Sequence, residues 1–327
     1  MTSNLRNLAL HGMFLSVIGA FVTTVSAQQG YPTKPIKMIV SASPGGTTDL
    51  LARSIGERLT ESLRQPVIVE NRPSALGVVA AEATLAAPAD GYTLLVTWHT
   101  HTISAAMNPK LSYHPVDSFT PITQFTNAAL MLVVHPSAPA RNLQEFIDWT
   151  KRSPTPLNFG SAGNGSGGHL AGELYKLMTG AKAQHIPYKG TGPAMNDLLA
   201  ARYEFSFGAP QGASVNLVRA GRLRAIAVTA PRRLAAWPDV PAMAEALPGF
   251  EVLGWYGMLG PAKMPTPVVA RLHEATRAAL EHPSVRQRIV EDGAEPVGNS
   301  PEEFGRFLRT DLMKWSKLVK ESGAKFD

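Results

Sequence analysis

The 327-residue sequence contains no cysteine. This absence excludes disulfide bonds, thiolate metal sites and cysteine nucleophiles. Lysine and arginine are scattered without a block of like charges, so the net charge of +6 does not indicate a nucleic-acid partner. After residue 27, no segment has the roughly 18 unbroken apolar residues of a membrane-spanning helix, and we therefore expect a soluble mature chain.

The N-terminal segment differs in character from the rest. Arg6 precedes the mostly apolar stretch LALHGMFLSVIGAFVTTV, and small residues follow at Val25–Ala27, where a cleavage site requires them. This pattern predicts a secretory signal peptide over residues 1–27, cleaved near Ala27. A membrane anchor is the alternative, but the run is short and His11 interrupts it. An exported chain of this size without disulfides fits a bacterial periplasm.

Strands and helices alternate from residue 36 onward. IKMIVSAS is typical of a buried strand, and the segment after it has an apolar stripe at helical spacing, formed by Leu51, Ile55, Leu59 and Leu63. The alternation predicts an α/β fold, with parallel sheets covered by helices on both faces. Two groups of such units fit two doubly wound domains better than one very wide sheet.

Two helix starts have capping signatures. Asn142 is followed three residues later by Glu145, close to a capping box. Ser300, Pro301 and Glu303 form a second capping box with proline at the first helical position.

The first turn of functional interest follows the first strand, in SASPGGTTDLLAR. Glycines there let backbone N–H groups approach a ligand, and a helix start adds unpaired donors and partial positive charge. A plain strand-to-helix turn, in which Asp49 only complements the helix dipole, explains the pattern equally well. The candidate anion-binding residues are Pro44, Gly45, Gly46, Thr47, Thr48 and Asp49.

The second turn lies in NFGSAGNGSGGHLAGELYK and is also flanked by a strand and a helix. It has five glycines in the nine residues from 160 to 168, more than a tight turn needs, which favours close backbone approach to a ligand. Its candidate binding residues are Ser161, Ala162, Gly163, Asn164, Gly165, Ser166 and His169.

Two enzymatic interpretations of this second turn fail on particular residues. GNGSGG fits G-x-G-x-x-G, but a dinucleotide site needs an acid about 20 positions later, and Lys189 ends the next strand instead. A hydrolase elbow centred on Ser166 needs glycine where Asn164 stands. An exported hydrolase that uses Ser166 remains the alternative from another functional class.

A metal site is weakly indicated. His99 and His101 are two apart, which on a strand places them on one face, but no acid lies nearby at ligand spacing. We expect neither a metal nor a cofactor. Two dipole-aligned glycine turns remain, and across a cleft they could hold both ends of a small dicarboxylate.

Ordered motifs from about Tyr31 to the C-terminus resemble one known family, the tripartite tricarboxylate transporter substrate-binding proteins, also called the Bug family. The motifs are YPTKPIKMIV, SPGGTTDLLAR, VIVENRP, PADGYTLLV, HPVDSFTPI, LNFGSAGNGSGGHLAGELYK, IPYKGTGPAMNDLLA, RAGRLRAIAVTAPRR, PDVPAMAEA, GWYGMLGPAKMPTPVV and SPEEFGRFLRTDLMKW.

The resemblance implies a type II-like periplasmic binding protein whose two domains are joined by a two-strand hinge. We predict domain 1 over residues 30–127 and 251–327, and domain 2 over residues 128–250. The two turns, with Trp98 and His99 as a third wall, are then the ligand contacts. Such a protein closes over a carboxylated solute as a monomer and passes it to a membrane permease. Docking of the loaded form onto a sensory receptor is equally compatible with the sequence.

Three departures from the family pattern bear on specificity. The usual glycine-rich RPGAGG is RPSALG here, with Ser74–Leu76 making that loop bulkier. Trp98 and His99 stand where small hydroxyl residues are usual, and Gly208 stands where the family usually has aspartate. A larger apolar wall with one fewer acid argues against an amino-acid ligand and leaves room for an aromatic or longer carboxylate.

Overall fold

The structure is a computed structural model, and it describes residues 30–108, 110–208, 213–291 and 293–322. The predicted signal peptide over residues 1–27 lies outside the described residues. The strands are β1 (Ile36–Val40), β2 (Val67–Asn71), β3 (Thr93–Trp98), β4 (Phe119–Ala129), β5 (Met131–Val134), β6 (Leu157–Ser161), β7 (Ala183–Pro187), β8 (Phe205–Gly208), β9 (Arg224–Val228), β10 (Leu253–Pro261) and β11 (Ala294–Pro296). The helices are α1 (Thr47–Leu63), α2 (Val78–Leu85), α3 (Thr100–Met107), α4 (Leu143–Arg152), α5 (Gly167–Thr179), α6 (Thr191–Leu199), α7 (Ala213–Arg219), α8 (Thr266–Glu281), α9 (Pro283–Glu291) and α10 (Pro301–Ser322).

The strands form two sheets, as the α/β prediction requires. One sheet has the order β11-β4-β10-β3-β1-β2, and the other has the order β7-β6-β8-β5-β9. The apolar stripe predicted for α1 is buried, because Leu51, Ile55, Leu59 and Leu63 are each at most 5% exposed. Complete burial of each such side chain contributes about 1.5–3 kcal/mol to folding.

The sheets are mixed rather than purely parallel. β1 pairs in parallel with β2 and β3, and β6 pairs in parallel with β7 and β8. The strands that receive the chain from the other sheet, β10 and β5, run antiparallel to both of their neighbours. A chain that crosses directly from one sheet to the next enters from the opposite end, which explains this direction.

The two places where the chain crosses between the sheets lie side by side. Leu130 separates β4 from β5, and Val252 precedes β10. The fully buried Thr229 joins them, because its Oγ1 accepts the Leu130 N–H at 2.7 Å and donates to the Val252 carbonyl at 2.6 Å. The structure therefore has the predicted two-domain architecture with a two-strand connection, while the domain limits at residues 127/128 and 250/251 stay a prediction.

The C-terminal helix contacts both halves of the molecule. In α10, the buried Asp311 accepts hydrogen bonds from Thr102 Oγ1 at 2.7 Å and Trp255 Nε1 at 2.9 Å, both on the side of the first sheet. Further along, Trp315 and Leu318 belong to the apolar core of the second sheet. The capping box of Ser300 and Glu303 forms at the start of α10. At the start of α4, Asn142 accepts the Glu145 N–H at 2.9 Å, but the Glu145 carboxylate accepts the Arg141 N–H, so this box is only half formed. None of the described helices is long and apolar enough to cross a membrane.

Candidate functional site

The first glycine turn connects β1 to α1. Gly45 has a φ of +82°, a left-handed conformation that glycine adopts without strain. Gly46 is extended and precedes the first helical residue, and no side chain caps this helix start. Ser43 to Gly46 are exposed, so the backbone donors at the start of α1 adjoin solvent.

The Asp49 carboxylate fixes this turn from beneath. Asp49 is 2% exposed, and its oxygens accept hydrogen bonds from the Gly45 N–H at 2.9 Å, Arg53 Nε at 3.1 Å and Asn71 Nδ2 at 2.9 Å. Burial raises the pKa of the Asp49 carboxyl, but these donors outweigh burial and leave the pKa below its ordinary value. The Asp49 carboxylate therefore binds groups of the turn, of α1 and of β2, and stabilises the turn through these contacts.

The second glycine turn connects β6 to α5. Ser166 caps the helix, since its Oγ accepts the His169 N–H at 3.3 Å. Gly168 lets α5 approach the end of β8, because a β-carbon there would lie 2.4 Å from the Phe207 carbonyl oxygen. Close packing of the helix against the sheet therefore accounts for part of the glycine richness, and Ser166 has a structural partner.

Polar side chains fix the backbone of this turn from the second sheet. Ser161 Oγ lies 2.6 Å from His185 Nε2 and accepts the Gly163 N–H at 3.1 Å. His169 Nδ1 accepts the Gly165 N–H at 3.1 Å, and the His169 ring stacks on His185 with centroids 4.0 Å apart. The turn is thus held by neutral hydrogen bonds.

The ionisation of these histidines follows from burial. Burial lowers the pKa of His169 below its ordinary value, with Glu173 opposing the shift and Lys176 adding to it. Burial, the neighbouring His169 and Lys176 lower the pKa of His185 to about 3. Both rings are therefore neutral near neutral pH, which the acceptor role of His169 Nδ1 requires.

His99 follows β3 and reaches the second turn. A β-carbon at Gly167 would lie 3.5 Å from His99 Nε2, and one at Gly254 would lie 3.2 Å from His99 Nδ1. Both ring nitrogens are buried without a hydrogen-bond partner among the described residues. Burial and the charge of Lys314 lower the pKa of His99 to about 4. Trp98 meets the His99 ring edge-on, with centroids 4.6 Å apart.

The expectation that His99 and His101 share one face of a strand is wrong. β3 ends at Trp98, and His101 lies in α3, where its Nε2 is 2.8 Å from the Pro115 carbonyl oxygen. His99 instead lies against the helix start of the other half. Among the described residues, no group of three or more His, Asp or Glu side chains could hold a metal ion.

Comparison with known proteins identifies the family. Residues 51–324 match the family described as the tripartite tricarboxylate transporter family receptor. The chain belongs to this family.

Relatives of this receptor extend over nearly the whole chain. The chain is 35% identical to Protein BugT of Bordetella pertussis (strain Tohama I), over 98% of each chain. It is similar to an R. palustris protein solved with adipate, at 33% identity and a TM-score of 0.76, covering 90% of this chain and 100% of that one. It is also similar to MatC from Rhodopseudomonas palustris, solved with bound malate, at 31% identity and a TM-score of 0.72. This match covers 88% of this chain and 100% of that one.

Membership of the family decides the broad functional class. Members are solute-binding receptors and not enzymes, so the interpretation of Ser166 as a hydrolase nucleophile is set aside. Members are also periplasmic binding proteins. The family resemblance and the two-domain α/β fold expected from the motifs are thereby confirmed.

The remaining predicted contacts of the receptor lie around the two turns. Thr48 is buried and Thr47 partly exposed at the start of α1, while Ala162 is exposed and Asn164 half-buried in the second turn. Gly208, at the position of the usual family aspartate, ends β8 and pairs with Met131. The four residues after Gly208 lie outside the described part of the chain.

Sequence reasoning missed the residues that support the turns. Arg53 and Asn71 hold Asp49, and His185 holds Ser161. Asn71 and His185 lie on β2 and β7, each adjacent to the strand that leads into a turn. Polar side chains near the carboxyl ends of such neighbouring strands were the available signal.

Proposed function

We propose that this receptor captures a small organic carboxylate between its two halves and delivers it to the membrane permease of a tripartite tricarboxylate-type transporter. The ligand class is a di- or tricarboxylate or an aromatic carboxylate. Binding involves domain closure as a monomer, with no chemical step and no cofactor. The export signal over residues 1–27, cleaved near Ala27, would place the protein in the periplasm.

One observation carries the proposal: each half presents the start of a helix, preceded by a glycine turn, at the end of a strand. These starts belong to α1 and α5. Helix starts bind anions because their first N–H groups lack intrahelical acceptors and the helix dipole adds partial positive charge. Several such donors together offset the desolvation of a carboxylate.

The contacts at each turn support this assignment. Asp49 takes up the Gly45 N–H, while Ser161 and His169 take up those of Gly163 and Gly165. Each turn is thus held by its own side chains before any ligand arrives. Donors that are already in place increase the affinity for a ligand, because less conformational entropy is lost in ordering the turn on binding.

The comparisons support a carboxylate in particular. The R. palustris relative was solved with adipate and MatC with malate, and both are dicarboxylates. His99 extends from the first half to the second turn, and Trp98 packs edge-on against its ring, so the receptor's own ligand would meet a ring-lined wall. We therefore expect a ligand selection that differs from that of relatives with small residues there.

Titration calorimetry tests the proposal with malate, adipate, a tricarboxylate and an aromatic carboxylate. At least one should bind with a 1:1 stoichiometry, and the diamide of the same acid should not bind, because it lacks the anionic ends. Native mass spectrometry of the protein as purified would reveal a co-purified ligand by its mass. Absence of binding heat with the whole panel, and no bound mass, would contradict a carboxylate ligand.

A further inference from the structure

A buried polar cluster supports the second glycine turn from behind. Ser161, His169 and Glu173 are 2%, 4% and 6% exposed. The cluster continues to Lys176, whose Nζ lies 2.8 Å from Glu173 Oε1, and it includes His185 on β7. Burying this many polar side chains is unfavourable unless their hydrogen bonds are made, so the arrangement requires an explanation.

His185 contacts both side chains that hold the turn. Its Nε2 lies 2.6 Å from Ser161 Oγ, the atom that accepts the Gly163 N–H. Its ring stacks on His169, 4.0 Å away with an interplanar angle of 12°, and His169 Nδ1 accepts the Gly165 N–H. One imidazole therefore fixes the orientation of two acceptors that bind alternate amides of the turn.

We propose that His185 is a positioning residue for ligand binding, which sets the turn before α5 through Ser161 and His169 without touching the ligand. The inference rests on the proposed function of this turn. With the amides of Gly163 and Gly165 bound internally, the helix start at Gly167 keeps one direction, as the proposed ligand contact requires. Loss of either acceptor lets the turn adopt other conformations, and a ligand must then reorder it.

The charged surroundings are consistent with this role. From α5, His169 and Lys176 act on the His185 ring, and from β6 the Phe159 ring packs against it at 5.0 Å. Glu173 lies on the far side of this pair, with its Oε1 4.0 Å from His169 Nε2. Two stacked imidazoles 4.0 Å apart repel each other when both are charged. Neutral rings avoid this repulsion, and the Nδ1 of a neutral His169 can accept the Gly165 amide.

The test separates the hydrogen bond of His185 from its ring packing. His185→Phe keeps the stacking and removes the contact with Ser161, and His185→Gln restores a polar group that can reach Ser161. We expect His185→Phe to weaken carboxylate binding about 10-fold or more, and His185→Gln to recover part of the loss. Tyr203→Phe is the matched control, because it removes a buried hydrogen bond, of 2.6 Å to Ala194, from the same half.

A double-mutant cycle adds a readout that general destabilisation would not change. Ser161→Ala and His185→Phe remove the same hydrogen bond. The ligand affinity of the double variant should therefore be close to that of whichever single variant binds more weakly. Additive losses would overturn the proposal, and so would unchanged affinity in a folded His185→Phe protein.

A ligand-free measurement distinguishes this inference from the proposed function. Amide exchange at Gly163 and Gly165, followed by NMR, should be faster in His185→Phe than in the unaltered protein, with Tyr203→Phe unchanged. If no carboxylate binds the unaltered protein, the proposed function fails while this readout still reports on the turn. Unchanged exchange at both amides would overturn the positioning role.

Discussion

In the turn before α1 a buried carboxylate holds the loop, whereas in the turn before α5 imidazole and hydroxyl groups do so. Asp49 gathers the Gly45 N–H together with the side chains of Arg53 and Asn71. His169 and Ser161 take the corresponding position in the second half. The same sequence of strand, glycine turn and helix is therefore stabilised by two different chemistries.

Because their supporting groups differ, the two turns respond differently to acid. The pKa of Asp49 is depressed in the folded protein, so its contribution is present above the unfolded pKa of about 3.9 and is lost as pH falls through the lower folded value. The pKa values of His169 and His185 are depressed as well, but these groups are bases. Their contribution is complete above about pH 6.5 and declines as pH falls toward the folded values.

The largest expected difference between the two turns is the stability cost of adding a methyl group to one of their glycines. Gly168→Ala places a β-carbon 2.4 Å from the Phe207 carbonyl oxygen, and backbone cannot yield cheaply. We expect about 3 kcal/mol loss of unfolding free energy, measured by urea denaturation. Gly192→Ala is the control, because its added β-carbon has no neighbour within 4 Å. In the first turn, the β-carbon added by Gly46→Ala meets only the Ser43 carbonyl oxygen, at 3.4 Å. Equal stability of the Gly168 and Gly192 variants would contradict this packing.

Removal of the carboxylate tests the first turn. Asp49→Ala leaves the Gly45 N–H without its acceptor and leaves Asn71 Nδ2 with only the Ala42 carbonyl of its two acceptors. We expect about 2 kcal/mol loss of unfolding free energy together with weaker ligand binding. Asp117→Ala is the control, because its ion pair with Arg309 is exposed and contributes little. If the two variants were equally stable, Asp49 would not organise the turn.

Replacement of His99 should change the unfolding free energy and the ligand affinity in opposite directions. His99→Phe removes two buried nitrogens without partners among the described residues, so we expect about 1 kcal/mol gain in unfolding free energy and weaker carboxylate binding. His101→Phe should instead lose stability, because it removes the contact with the Pro115 carbonyl. Thermal unfolding and calorimetry of both variants measure this. A His99→Phe protein that binds the ligand normally would place the ligand elsewhere.

Mild acid gives the smallest expected effect. Between neutral pH and about pH 5, protection of the Gly165 amide against exchange should fall, because opening the turn lets His169 take up a proton. Protection of the Gly45 amide, bound to Asp49, should stay constant after correction for the intrinsic exchange rate. His169→Gln should remove the pH dependence at Gly165. Parallel loss at both amides would show that the two turns do not differ in this way.

Local patterns predicted the elements next to the turns, since apolar spacing and caps are properties of neighbouring residues. They failed for β4, whose sequence FTPITQFTNAA mixes polar residues with apolar ones, because its polar Thr123, Gln124 and Thr126 are buried within the sheet. α3 was also missed, since its pattern of threonine and histidine has little helical preference.

One supporting side chain of each turn could not be read from the turn's own segment. Asn71 is 22 residues from Asp49, and His185 is 24 residues from Ser161. Only the pairing of parallel strands brings these residues together. The family motifs located the turns, while the tertiary fold decided which side chains hold them.

The proposed function requires that both helix starts bind one carboxylate ligand. Titration of isotope-labelled protein with the tightest-binding dicarboxylate, followed by amide NMR, tests it directly. Amides at the start of α1, near Thr47, and at the start of α5, near Gly167, should shift together along one saturation curve. Shifts confined to one of the two turns, or absent from both while the ligand binds elsewhere, would contradict it.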